Sequence, residues 1–92
     1  MNENLKDVIK TMFRKRIIGA KHSPEEKLLQ SKIRYSNKNE QKIFYEEYKT
    51  LLQKKYFIRL KKRTGRGSEY HISLNPEMFE EIHNIMRNED EI

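Results

Sequence analysis

Residues 57–74 read FIRLKKRTGRGSEYHISL. Apolar residues alternate with basic ones over residues 57–62 and with polar ones over residues 69–74, and the connection between these segments contains two glycines. Alternation with a period of two, on both sides of a glycine-containing connection, is typical of a β-hairpin. We therefore predict a hairpin over residues 57–74, with its connection at residues 63–68.

The alternation also predicts which side chains share a face, because successive residues of a strand point to opposite sides. The inward face is expected to hold Ile58, Leu60, Tyr70, Ile72 and Leu74. Arg59, Lys61 and His71 are expected to point away from the core, towards water or a partner. A hairpin with one apolar face and a cationic tip is suited to contact with a negatively charged surface.

Positive charge is concentrated around this hairpin. Residues 53–68 contain no acidic residue and seven basic ones, namely Lys54, Lys55, Arg59, Lys61, Lys62, Arg63 and Arg66. The chain of 92 residues has a formal net charge of +6, although residues 75–92 carry one arginine against six acidic side chains. This distribution orients a molecule in the field of a polyanion. The alternative interpretation is a solvated surface rich in lysine and glutamate, with no specific partner.

The length and composition predict a single small domain over residues 1–92. A chain of this size buries roughly 60–65% of its unfolded surface, so its core is marginal and dimerisation would help it. The absence of cysteine excludes disulfides and thiolate metal sites. No apolar run approaches the ~20 residues of a membrane span, and no signal-peptide segment is evident. We therefore expect a cytoplasmic protein without membrane contact, associated with the nucleoid if the organism is prokaryotic.

Apolar residues at helical spacing predict two helices in the first third of the chain. The first is expected over residues 4–18, with Asn4 as its N-cap and Gly19 just beyond its end. The second is expected over residues 24–33, because a capping box begins at Ser23 and a proline occupies the first helical position.

Two further helices flank the hairpin directly. The third is expected over residues 38–55, capped by Asn37 or Ser36, and it runs almost directly into the first strand. The fourth is expected over residues 76–88, where a cap and a proline again precede an apolar stripe. It is expected to fray into the acidic end of the chain.

This order of elements resembles a winged helix-turn-helix domain, an α+β fold that is mostly helical. The resemblance is carried by residues 23–74, and includes the step into Phe57-Ile58 and the Tyr70-x-Ile72 pattern of the second strand. A glycine is common in that family where this chain has Tyr56. The resemblance implies three helices, a hairpin called the wing, and a fourth helix. It also implies binding of double-stranded DNA, with the third helix in the major groove and the wing on the backbone or minor groove.

The candidate DNA contacts lie on the third helix and the wing. Asparagine and glutamine can bond adenine edges, and lysine and arginine can bond guanine or neutralise phosphates. The candidates are Asn37, Lys38, Asn39, Gln41, Lys42, Tyr45 and Lys49 on the helix, and Arg59, Lys61, Lys62, Arg63 and Arg66 on the hairpin. Arg63 and Arg66 are expected to reach a narrow, electronegative minor groove. Glu46 departs from this pattern, because it would face phosphates unless it accepts from a cytosine or points aside.

The sequence contains no pattern that indicates catalysis or a cofactor. The three histidines, His22, His71 and His83, lie on different predicted elements and are expected to be surface or boundary residues. Paired acids occur only as neighbours within helices, where their side chains diverge. Neither a phosphate-binding glycine loop nor a nucleophile elbow is present. We predict that the chain is not an enzyme and uses no cofactor or metal.

Sequence-specific DNA binding by a small transcriptional regulator is the favoured function. The main alternative is a winged-helix module for protein docking in transcription or replication machinery, which would suit Glu46 and Glu47. RNA binding is disfavoured because Phe44, Tyr48 and Tyr70 are expected on inward faces instead of a stacking surface. Membrane-surface binding is disfavoured because no helix pairs a dense basic face with large apolar residues.

A homodimer is a separate prediction. The first and fourth helices carry eleven apolar residues between them, more than a small core requires. A monomer would then expose an apolar patch. A two-fold dimer through these helices would bury that patch and present two copies of the third helix to successive major grooves, about 34 Å apart.

Overall fold

The structure, a computed structural model, describes residues 1–90. In chain order its elements are α1 (Glu3–Arg14), β1 (Ser23–Pro24), α2 (Glu25–Ile33), α3 (Lys38–Gln53), β2 (Phe57–Thr64), β3 (Gly67–Leu74), a 3-10 turn (Pro76–Met78) and α4 (Phe79–Asp90). The predicted α+β class, mostly helical with a β-hairpin, is confirmed. The acidic end expected to fray falls partly on residues 91–92, which lie outside the described residues.

Two helices begin with asparagine caps, whose side chains accept hydrogen bonds from free backbone N–H groups. Asn2, instead of Asn4, caps α1: its Oδ1 accepts from the N–H of Asn4 at 2.9 Å and of Leu5 at 3.2 Å. Asn37 caps α3, as predicted. Its Oδ1 accepts from the Glu40 N–H at 2.8 Å, and its Nδ2 donates to the Glu40 carboxylate at 3.0 Å.

The start of α2 differs from the prediction. Pro24 precedes the helix instead of opening it, and no side chain caps the first turn. The reason is tertiary: Ser23 pairs with Ile72 and Pro24 with His71, which holds both residues in an extended edge strand. Proline is tolerated there because an edge strand leaves some N–H groups without a ladder partner. The predicted capping box at Ser23 was therefore wrong.

The end of α1 also differs, since the helix stops at Arg14 and not at residue 18. Arg16 has φ 55°, and the N–H of Ile17 donates to the carbonyl of Met12 at 2.8 Å. These are the features of a Schellman motif, in which a residue with positive φ reverses the chain after the last turn. Gly19 was expected to fill this role, but it lies beyond the motif.

The three strands form one antiparallel sheet in the order β1-β3-β2. β2 and β3 pair from Phe57↔Leu74 to Thr64↔Gly67, so their connection is the two residues Gly65-Arg66 and not the six expected. Gly67 has φ 136°, a conformation that favours glycine. The paired strands therefore continue almost to the tip of the hairpin.

This register reverses part of the predicted face assignment. One face holds Phe57, Arg59, Lys61, Tyr70, Ile72 and Leu74, and the other holds Ile58, Leu60, Lys62, Glu69, His71 and Ser73. Arg59 therefore lies on the same face as Ile72, whereas Ile58 is exposed and His71 is buried. The prediction was wrong because a register shift of one residue moves every side chain of a strand to the opposite face.

The core lies where the helices meet the inner half of the sheet. Its largest fully buried side chains include Leu5, Val8, Ile9, Met12, Ile33, Phe44, Ile72, Leu74 and Ile82. α4 buries Ile82 and Met86, and the Phe13 and Phe79 rings lie 5.7 Å apart between α1 and α4. Among the described side chains of α1 and α4, no large apolar one is highly exposed. The apolar patch expected on these helices is therefore not present there.

Of the helices within residues 1–90, none combines the length and the apolar character needed to cross a membrane.

Candidate nucleic-acid interface

The outward face of α3 carries five of the candidate residues. These exposed side chains are Lys38, Asn39, Lys42, Tyr45 and Lys49. They recur at intervals of three and four residues, so they form one stripe along the helix. The Tyr45 hydroxyl accepts a hydrogen bond from Gln30 Nε2 at 3.2 Å, at the border with α2. Glu46 is also exposed and interrupts the positive charge of this face.

Two other candidate residues are engaged in the turn between α2 and α3. Asn37 is the N-cap of α3, so its amide is already hydrogen-bonded. Gln41 is half-buried, and its Nε2 donates to the Ser36 carbonyl at 3.0 Å. Asn4 Nδ2 donates to Ser36 Oγ at 3.2 Å, which joins the turn to α1. These bonds position the start of α3 and engage both amide atoms of Asn37 and the Nε2 of Gln41.

The outer half of the hairpin is a cationic projection, in which every residue from 61 to 70 is exposed. Lys61, Lys62, Arg63 and Arg66 all lie on it, and none pairs with a carboxylate in the part of the chain that the structure describes. Lys61 and Arg63 border a shallow concavity of about 640 Å³ on one side, together with Ser68. Lys62 lies on the opposite face. We call these four cations the wing-tip cations.

Arg59 does not belong to this exposed set. Its Nε donates to Glu25 Oε2 at 2.6 Å and its Nη2 to Glu25 Oε1 at 3.0 Å. Its guanidinium lies over the ring of Tyr70, 3.5 Å from the centroid. The prediction that Arg59 lies on the face opposite Ile72 was wrong, because the register brings both residues to the same face, although the Arg59 side chain stays 38% exposed.

The Glu25 carboxylate is the centre of a cluster that joins α2, α3 and the hairpin. The Tyr48 hydroxyl donates to Glu25 Oε2 at 2.6 Å, so the carboxylate receives bonds from both α3 and β2. The Tyr48 ring also packs on Phe57, with ring centroids 5.4 Å apart. We call Glu25, Arg59, Tyr48 and Tyr70 the Glu25 cluster. No local sequence pattern could have found it, because 34 residues separate Glu25 from Arg59.

Burial and charge act in opposite directions on this carboxylate. Burial alone would raise the pKa of Glu25, but the hydrogen bonds from Arg59 and Tyr48 and the charge of Arg59 outweigh it, so the pKa is lowered. Burial and the adjacent carboxylate raise the pKa of the Tyr48 hydroxyl. The hydrogen bonds to Glu25 raise the pKa of Arg59. At neutral pH the cluster therefore consists of an ion pair with a tyrosine hydroxyl as a further donor.

A second fixed contact lies at the corner between α3 and β2. Lys55 has φ 67°, and the N–H of Tyr56 donates to the Leu51 carbonyl at 3.1 Å, so α3 ends in a Schellman motif at Gln53 and not at residue 55. Asn75 Nδ2 donates to the Lys55 carbonyl at 2.8 Å. The chain reverses direction here at Lys55, one residue before Tyr56. The corner and the Glu25 cluster together hold the hairpin at a fixed position beside α3.

Of the three histidines, His83 is exposed and His22 is half-buried, whereas His71 is less exposed than predicted. His71 is buried, its Nε2 lies 2.8 Å from Glu69 Oε1, and its Nδ1 lies 2.7 Å from His22 Nδ1. His83 stacks on Phe13, with ring centroids 4.7 Å apart. The expectation of a surface or boundary position was wrong for His71. Among the side chains that the structure describes, those of residues 1–87, no three of His, Asp or Glu are grouped so that they could hold a metal ion.

No family model matches this chain, and no curated protein or solved structure gives a significant match to it. We therefore infer the function from the chain's own residues and geometry.

Proposed function

We propose that this chain is a winged helix-turn-helix domain that binds double-stranded DNA in a sequence-specific manner, as a small transcriptional regulator. One observation carries the proposal. The four wing-tip cations project from the body without a carboxylate partner among the described residues, next to a helix whose outer face is polar and basic. The order of helices and hairpin supports the same assignment.

α3 is the proposed reading helix. The major groove admits an α-helix, and its base edges offer acceptors to lysine and both donors and acceptors to asparagine. Asn39 and Lys42 lie on the exposed stripe, one turn apart, and their side chains are suited to base edges. Lys38 and Lys49 lie at the two ends of the stripe, where they would contact phosphates.

The hairpin is the proposed backbone clamp. Lys61 and Arg63 lie on one face and Lys62 on the other, so the projection presents positive charge on both sides. This arrangement suits a ribbon that lies between two phosphate chains. Arg66 lies in the turn itself and is the proposed minor-groove contact, since a narrow minor groove attracts arginine. Arg59 has no direct part in binding and instead positions the hairpin.

The proposal is tested by fluorescence anisotropy with a 30-base-pair duplex of random sequence at roughly 50 and 200 mM salt. Neutralising six or more phosphates should make the affinity fall by about 10³-fold or more between the two salt concentrations. Arg63→Ala/Arg66→Ala should bind more weakly and show a shallower dependence on salt. If the protein does not bind duplex DNA even at 50 mM salt, the proposal is wrong.

One observation favours a second candidate, a protein-docking module. Tyr35 is 92% exposed and Ile43 is 47% exposed, and Glu46 is exposed on the same helix as Ile43. Exposed aromatic and aliphatic side chains beside an acid are more typical of a protein interface than of a DNA contact. Loss of binding to a protein partner after Ile43→Ala, with DNA binding unchanged, would support this candidate.

The homodimer through the first and fourth helices stays a prediction. The structure weakens the case for an exposed apolar patch on these helices, because over the described residues α1 and α4 pack their apolar side chains within one chain. Sedimentation equilibrium tests it directly, since the monomer has a mass of 11.3 kDa. A palindromic binding site would require the two-fold dimer.

A further inference from the structure

A second cationic surface lies in a groove between α1 and α2. The groove has a volume of about 210 Å³, and its lining includes four cations, Arg14, Lys15, Lys27 and Lys32, with the hydroxyl-bearing residues Thr11 and Ser23. No aspartate or glutamate lines it. None of the four cations forms an ion pair with a described carboxylate. We call this feature the α1–α2 groove.

The α1–α2 groove lies on a different side of the molecule from the candidate interface. Glu25 and Gln30 mark the side of α2 that faces α3, because they bond Tyr48 and Tyr45 respectively. Lys27 and Lys32 line the groove on the side of α2 that faces α1. No residue of α3 or of the hairpin contributes to the groove. A duplex held by α3 and the wing would therefore leave the groove free.

Helix dipoles account for only part of this charge. Arg14 and Lys32 lie in the last turns of their helices and Lys15 follows α1, where cations are favourable. Lys27 lies in the first turn of α2, where the dipole disfavours a cation. Four like charges around one groove also repel one another. An anion bound between them would relieve this repulsion.

We infer that the α1–α2 groove binds the phosphodiester backbone of a second DNA duplex, so that one molecule links two duplexes. The inference rests on the proposed function, because the first duplex is the one held by α3 and the wing. Lysine, arginine and serine or threonine hydroxyls are the groups that commonly contact phosphate oxygens, and all of these occur in the lining. Charge complementarity and the absence of acids in the lining favour this occupant.

The test measures bridging and single-duplex binding separately. Bridging is measured as the capture of a fluorescent 30-base-pair duplex by beads that carry a second duplex, at roughly 50 mM salt. Single-duplex binding is measured by anisotropy under the same conditions. The test variant is Lys27→Gln/Lys32→Gln, which keeps two polar side chains and removes two charges. Arg63→Gln/Arg66→Gln is the matched control, because it removes the same charge from the wing.

Loss of the two groove charges should lower the captured duplex by about tenfold or more, while the single-duplex Kd stays within about twofold of the original value. The wing control should instead raise the single-duplex Kd. Lys27→Arg/Lys32→Arg keeps both charges and should bridge two duplexes as well as the original protein does. Thermal unfolding of the three variants shows whether each is folded.

If the protein binds DNA, three results would overturn the inference. The first is a protein that binds one duplex but bridges none, which leaves the proposed function intact. The second is an equal loss of bridging and single-duplex affinity in the groove variant, because the groove would then contact the same duplex. The third is a shift of that variant from dimer to monomer in sedimentation, which would identify a second copy of the chain as the occupant. Absence of any DNA binding would overturn the proposed function as well.

Discussion

Arg59 and Glu25 form a bidentate ion pair between β2 and α2, with N–O distances of 2.6 and 3.0 Å. The Glu25 side chain is 15% exposed and that of Arg59 is 38% exposed, so the carboxylate is the more protected partner. Because Glu25 also accepts from Tyr48 on α3, a single carboxylate connects the helix proposed to read DNA with the hairpin proposed to clamp it. Bidentate pairs add geometric specificity as well as energy.

We predict that Glu25→Gln destabilises the fold and loosens the hairpin. The glutamine amide is neutral and has one acceptor oxygen, so it cannot reproduce the bidentate bonds to Arg59. Hydrogen bonds to charged groups contribute about 1.5–3 kcal/mol each. Partial exposure of Arg59 reduces this, so the expected loss is about 1–2 kcal/mol in the free energy of unfolding. Urea denaturation measures it. Glu26→Gln, which changes the exposed neighbouring acid, should stay within about 0.5 kcal/mol of the original protein.

The same variant should weaken DNA binding although Glu25 is not a proposed contact. The four wing-tip cations would remain, so the salt dependence should change little while the affinity falls by about three- to tenfold through loss of preorganisation. Anisotropy at two salt concentrations measures both quantities. An affinity that rises would contradict this account, because it would show that the negative charge of Glu25 matters more than its contacts.

Acid should remove the contribution of Glu25 to stability. The pKa of Glu25 is lowered in the folded state, so the unfolded chain binds more protons as pH falls and stability decreases with it. The contribution is complete above the ordinary value of 4.5 and is lost as pH falls through the lower folded value. Denaturation between pH 6 and pH 3 should show a shallower decline for Glu25→Gln than for the original protein. Parallel curves for the two proteins would contradict this assignment.

Local sequence signals predicted the helices better than the hairpin's geometry. The cap at Asn37 depends on residues within one helical turn, and it appears in the structure. The register of the hairpin depends on a turn of two residues, Gly65-Arg66, which the alternation pattern alone did not distinguish from a longer connection. Because the register was not predicted correctly, Arg59 was assigned to the outer face, whereas it lies on the inner one.

The exposure of the basic residues at the hairpin tip was predictable from the sequence. A run of basic residues at a hairpin tip needs no tertiary partner, and Lys61, Lys62 and Arg63 are exposed as expected. The side chains that acquired structural roles did so through contacts distant in sequence. Ser23 pairs with Ile72 of β3, and Arg59 bonds Glu25, which lies 34 positions earlier in the chain. Pairings of this kind depend on the assembled fold, so a single sequence does not disclose them.

We predict that Lys55→Gly stabilises the protein at the corner between α3 and β2. Lys55 has φ 67°, a conformation that costs a residue with a Cβ about 1–2 kcal/mol, and glycine adopts it freely. The greater freedom of glycine in the unfolded chain offsets part of this, so the expected gain is about 0.5–1 kcal/mol, measured by thermal or urea unfolding. Lys54→Gly is the matched control: Lys54 has φ −80°, and glycine there should destabilise. A loss of stability in both variants would contradict the argument.

We predict that Glu46→Gln raises the affinity for duplex DNA. Glu46 is exposed among the lysines of α3, so in the proposed complex its charge would face the phosphates and oppose binding. Removing one repelled charge should lower the Kd by about two- to tenfold at roughly 50 mM salt, and by less at 200 mM, because salt screens exposed charges. Glu80→Gln on α4 changes the net charge equally at an exposed position on another helix, and it should have little effect. If Glu46→Gln leaves DNA affinity unchanged but abolishes binding to a protein partner, the outer face of α3 is a docking surface and the reading helix must be sought elsewhere.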